Sequence, residues 1–135
     1  MNDALVTGDA LASRFTELPR LLEADRDLIR RGAFFDCRFK VEIGPVPFDI
    51  RLDGGRIVVF ERGPFVMRGW SFAISGSLQA WEHYWRPVPA PGWHDLFALR
   101  KRGEMTIEGE LQPVMAHLQY LKDLLALPRQ IQTEL

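Results

Sequence analysis

A chain of 135 residues, 47% hydrophobic and 26% charged, has the makeup of one globular domain. It is long enough to bury about two thirds of its unfolded surface. Seventeen basic against 18 acidic residues leave a net charge of −1, which argues against electrostatic capture of nucleic acid or an anionic bilayer. The single cysteine, Cys37, excludes an internal disulfide and favours a cytoplasmic setting.

The first residues lack the basic start and apolar core of a secretion signal, and no apolar run approaches the roughly 18 residues needed to span a bilayer. Asp9 is a suitable N-cap, and Leu11, Phe15 and Leu18 follow at helical spacing. Pro19 starts a second helical turn or kinks the first, and Leu21, Leu22, Leu28 and Ile29 extend the apolar side to Gly32. One broken helix or two short ones are expected. Residues 34–43 then alternate, with Cys37, Phe39, Val41 and Ile43 opposite Arg38, Lys40 and Glu42. After the Gly44–Pro45 turn, residues 47–53 place Phe48, Ile50 and Leu52 on one face. Asp53-Gly54-Gly55 is a tight hairpin leading to a strand at 56–61, whose weak alternation predicts apolar surroundings on both faces. Gly63-Pro64 ends this meander and starts a crossover.

A fourth strand is expected at 70–75, with Trp70, Phe72 and Ile74 on one face. Ser77 caps a helix from Leu78 to Trp85 that aligns Leu78, Trp81 and Trp85. A proline-rich loop, residues 86–92, precedes a short helix from His94 to Lys101. A fifth strand at 104–109 sets Met105, Ile107 and Gly109 opposite Glu104, Thr106 and Glu108. One long helix near 112–126 follows, with Pro113 in its first turn and Gln112 at or near the N-cap. The domain is taken as residues 1–135, its core about 9–128, with 129–135 a frayed tail. Arg30–Arg31 and Arg100–Lys101–Arg102 read as solvated helix ends.

The stretch Gly103-Glu104-Met105-Thr106-Ile107-Glu108-Gly109-Glu110 before a helix resembles the closing strand of the sterol-carrier-protein-2 (SCP2) family. That family's tail often reads Gly-x-hydrophobic-x-hydrophobic-x-Gly-Asp. The order helix, three strands, crossover, strand, helices, strand, helix extends the resemblance from about Leu11 to Leu127. It implies an α+β fold: a five-stranded, mainly antiparallel sheet covered on one face by helices. It also implies non-catalytic binding of a fatty acid, acyl thioester or sterol-like lipid in an apolar cavity, with no cofactor. The proline loop departs from the family, and the terminal Thr-Glu-Leu is not a peroxisomal address of the Ser-Lys-Leu type.

An acyl-chain site needs many concave apolar side chains and few polar ones. The candidates are Phe72, Ile74, Trp81, Trp85, Phe97, Met105, Ile107, Met115, Leu118 and Leu121, with Leu125 further along the last helix. The indole NH groups of Trp81 and Trp85 suit a polar mouth. Ordinary core packing explains the same spacing.

Catalysis has less to stand on. His83, His94 and His117 form no metal-binding spacing, Cys37 sits in an apolar alternation, and Ser75-Gly76-Ser77 is not a nucleophile elbow. His117, Tyr120 and Arg100 are candidate polar anchors for a ligand. The rival readings are an interaction role beside a partner enzyme, and an enzyme on a hydrophobic substrate using His94 or His117.

Overall fold

The computed structural model describes residues 3–65, 69–93 and 95–131, with side chains from Gly8 onward. Three helices lead the chain: α1 (Asp3–Phe15), α2 (Leu18–Glu23) and α3 (Arg26–Arg31). Asp9 lies inside α1 and does not cap it, because the helix begins at Asp3. Pro19 opens α2, where its missing amide costs little. The Asp25 carboxylate accepts from the Leu28 amide at 3.1 Å and so caps α3.

Strands β1 (Cys37–Ile43), β2 (Val46–Asp53) and β3 (Arg56–Arg62) form the expected meander. Gly54 and Gly55 take φ of +60° and +78° in its hairpin, a region open to glycine at little cost. Strand β4 (Phe72–Gly76) follows the crossover, then α4 (Leu78–Tyr84), α5 (Leu96–Lys101) and β5 (Met105–Gly109). The spatial order is β3-β2-β1-β4-β5. The β1–β4 pair is parallel and the other three are antiparallel, so the sheet is mixed.

One face of the sheet carries Phe39, Val41, Ile43, Phe48, Ile50, Leu52, Phe72, Ile74, Met105 and Ile107, all buried beneath the helices. Strand β3 does not have apolar neighbours on both faces. Its register slips between Arg51 and Leu52, a bulge that leaves Val58 54% exposed and weakens the alternation. Trp70 precedes β4 and lies over the outer face, where it donates to Asp49 at 3.1 Å. It therefore does not share a face with Phe72 and Ile74.

The expected long C-terminal helix is two helices, α6 (Leu111–Ala116) and α7 (Leu118–Ala126). His117 separates them with φ −124° and ψ 33°. Glu110 is the N-cap of α6, two residues before the expected Gln112, and Pro113 falls in the first turn. Within α7, Tyr120, Leu121, Leu124 and Leu125 fall on one helical face and turn inward together. A 3₁₀ turn, Leu127–Gln130, follows α7 near the end of the described residues.

Candidate functional site

The site begins with two tryptophans one helical turn apart, Trp81 on α4 and Trp85 at its C-cap. Trp81 and Trp85 are fully buried, with ring centroids 5.2 Å apart. Their NH groups do not face a polar mouth. Trp81 Nε1 donates to the Glu42 carbonyl at 2.9 Å, tying α4 to β1. Trp85 Nε1 donates to the Leu125 carbonyl at 2.7 Å, tying α4 to α7. A buried donor without a partner costs about 1–3 kcal/mol, so these bonds fix both rings. Phe15 stacks on Trp85 at 5.9 Å, and Phe48 and Phe60 close around Phe15.

On the sheet side, Phe72 stacks on Phe39 at 5.0 Å, next to Ile74. Met105 and Ile107 on β5, with Leu121 on α7, belong to the same continuous core. Seven of the ten candidate residues thus share one apolar interior: Phe72, Ile74, Trp81, Trp85, Met105, Ile107 and Leu121. Phe97 is half-buried against its edge, and Leu118 is half-buried at the start of α7. Met115 is 58% exposed and stands outside the set. The reason is the helical period itself: counted back from Leu121 by seven residues, Val114 and not Met115 falls on the inward face, and Val114 is the buried residue of α6.

Two of the three proposed polar anchors, Tyr120 and His117, have other work. Tyr120 is buried and donates to the Gly55 carbonyl at 2.6 Å. His117 lies flat on Phe35, centroids 3.9 Å apart, and Arg100 is exposed on α5. His117, Leu118, Tyr120 and Arg31 edge a surface hollow of about 380 Å³ at the α6–α7 joint. Arg31 is held by Asp123 at 2.8 Å and by Asp27 at 3.4 Å, so its charge is already matched.

His83 stacks on Trp93 at 4.3 Å, and the Arg102 guanidinium covers the other part of this clasp, 4.6 Å from the Trp93 ring. His94 lies outside the described residues. Burial pushes the Cys37 thiol up to about 12, with Asp36 adding to it, which keeps the sulfur protonated and unreactive. Among the described residues, no three His, Cys, Asp or Glu side chains converge as metal ligands.

Two polar features escape the sequence reading. Asp49 is completely buried on the outer face, where Arg38 donates to both of its oxygens, at 3.0 and 2.5 Å. Its place in the Phe48–Leu52 alternation signals only an outward side chain. Arg14 reaches from α1 to the carbonyls of Trp85 and Pro128, at 3.1 and 3.0 Å, and so locks the last turn onto α4.

No helix among the described residues is long and apolar enough to cross a membrane. No family model matches the chain, and no curated protein matches it by sequence. Solved structures do. A crystal structure of sterol carrier protein 2 superposes with a TM-score of 0.69 at 14% identity, covering 91% of this chain and 96% of that one. The solution structure of a conserved hypothetical protein from Thermus thermophilus, described as possibly a sterol carrier protein, gives 0.64 at 14% identity, covering 90% and 88%. A UbiJ-SCP2 ubiquinone synthesis protein gives 0.52 at 16% identity, covering 96% and 95%. With its strand order, its one helix-covered face and these superpositions, the chain has the sterol carrier protein 2-like fold.

Proposed function

We propose that the chain binds a hydrophobic small molecule, a fatty acid, acyl thioester or sterol-like lipid, between the sheet and the helices, without catalysing its conversion. The observation that carries this reading is the concentration of Phe72, Ile74, Trp81, Trp85, Met105, Ile107 and Leu121 in one interior, within a fold shared with sterol carrier protein 2. Binding would draw on burial alone, at about 0.8 kcal/mol per methylene withdrawn from water. Phe97 and Leu118 extend the interior toward its rim. Met105, with its unbranched thioether, can re-pack around a guest.

The test is mass spectrometry of lipids extracted from the native protein, with titration of the delipidated protein by a long-chain fatty acid. Binding should alter the fluorescence of Trp81 and Trp85, and Leu118→Trp should weaken it by filling space. No recovered lipid and no response to fatty acids or sterols would remove this reading. An accessory role beside a partner enzyme would then be the better account. The exposed Leu111 and Met115 side chains on α6 favour that second reading.

A further inference from the structure

We infer that α6 is a hinged flap over the apolar interior, opening by itself while the rest of the fold stays closed. The inference rests on the ligand-binding reading for its purpose and on the geometry of Gly109 to His117 for its existence. Helix α6 has six residues, of which Val114 is the buried one. Its principal neighbour is α7. Leu111 and Met115, one turn apart, face water although each is apolar. A segment anchored by so little apolar surface has a low free energy of local opening.

Both ends of α6 are joints. At the first, Gly109 takes φ +98°, and a Cβ there would stand 2.6 Å from the Ser71 carbonyl oxygen. The following Glu110 amide donates to that same oxygen at 2.8 Å. The start of α6 is therefore pinned to the crossover beside Phe72 and forms a fixed pivot. At the second joint the His117 backbone leaves the helical region, with no side-chain cap on α7. The His117 amide still donates to Pro113 and its carbonyl accepts from Leu121, at 3.1 and 3.0 Å, and the contact that reaches beyond these two helices is the His117 ring lying on Phe35. That stack is a latch, because it ties the joint to the loop before β1 without burying more of α6.

The flap follows directly on β5, whose Ile107 borders the interior. Swung about its two joints, α6 uncovers the space around Val114 and brings Leu111 and Met115 toward a guest chain. Their exposure in the closed state is then accounted for.

Hydrogen exchange on the ligand-free full chain tests the hinge. The amides of Met115, Ala116 and His117 should exchange at least about tenfold faster than those of Leu121–Leu125, and without dependence on low urea concentrations, as local opening requires. His117→Ala should raise both α6 exchange and the association rate of a fluorescent long-chain fatty acid severalfold. His117→Phe, which keeps a flat ring on Phe35, should restore both, and Phe34→Ser, at a side chain 95% exposed, should change neither. Fatty-acid binding with α6 as protected as α7, or with rates indifferent to His117→Ala, overturns the flap and leaves the ligand reading standing. Rapid α6 exchange with no fatty-acid binding supports the hinge and overturns the ligand reading.

Discussion

The two faces of the sheet are built by the same strands and obey different physics. On the inner face, Phe39, Val41 and Ile43 alternate into a layer of apolar side chains under the helices. On the outer face, the intervening residues form a chain of polar contacts. Arg38 meets Asp49, Trp70 donates to Asp49, the Lys40 ammonium lies 4.8 Å over the Trp70 ring, and Ser75 donates to Glu42 at 2.7 Å. The inner layer depends on volume, because packed apolar atoms lose contacts whenever a space opens. The outer one depends on pairing, since a buried carboxylate is tolerable only while its donors remain. The crossover between β3 and β4 is fastened to the sheet by this pairing through Trp70.

Breaking the inner face should cost most. Trp85→Ala removes a fully buried indole, its stack with Phe15 and its bond to Leu125, and should cost about 3–5 kcal/mol in urea unfolding. A smaller loss, with fatty-acid affinity raised, would mean that the interior adapts to lost volume as a binding cavity does. On the outer face, Asp49→Ala removes the acceptor shared by Arg38 and Trp70 and should cost about 1–3 kcal/mol. Combined with Arg38→Ala, the loss should be smaller than the sum of the two single losses, because the partners act as one unit. Strict additivity would show that the crossover is held by something other than this pair.

The comparison also explains what can be read from residues alone. Period-two alternation places the five strands nearly where they lie, because one face of each strand is buried and a slip by one residue would invert it. It fails at Val58 and Trp70, where a bulge and a pre-strand turn interrupt the count. The C-terminal helix reads as continuous because Val114, Leu118, Leu121 and Leu125 keep helical spacing across a joint that no glycine or internal proline marks. The apolar members of the interior are legible from spacing. The partners of their polar atoms are not, since Trp81 with Glu42 and Trp85 with Leu125 are 39 and 40 residues apart in sequence.

Polar atoms inside the apolar half offer a finer probe. The chain's two tyrosines are both buried and bonded to backbone carbonyls, Tyr84 to Lys122 at 2.8 Å and Tyr120 to Gly55 at 2.6 Å. Tyr120→Phe should cost about 1 kcal/mol, the net worth of one neutral hydrogen bond. Burial holds both phenols well above their ordinary value of 10.0. An acid whose folded-state value is raised favours folding fully below its unfolded value and progressively less above it. Stability should therefore be level below pH 10 on this account and fall as pH rises beyond it. Phenolate absorbance should appear together with the loss of near-ultraviolet dichroism. Phenolate formed near pH 10 in a folded protein would show that water reaches these hydroxyls.

The smallest effect is expected where the edge strand leaves both regimes. Val58 occupies the bulge of β3, belongs neither to the apolar layer nor to the polar chain, and is 54% exposed. Val58→Lys should change stability by no more than about 0.5 kcal/mol, as surface substitutions away from caps and pairs generally do. Two residues on, Phe60 packs against Phe15 and Phe48 at 5.6 and 5.4 Å, so Phe60→Lys drives a charge into the aromatic cluster and should prevent cooperative folding. The contrast follows from the bulge alone, since both residues stand in one unbroken apolar run, Ile57-Val58-Val59-Phe60. A large cost at Val58 in urea unfolding would mean that this edge is covered in solution, and sedimentation of the wild-type and Val58→Lys proteins would show whether a second copy covers it.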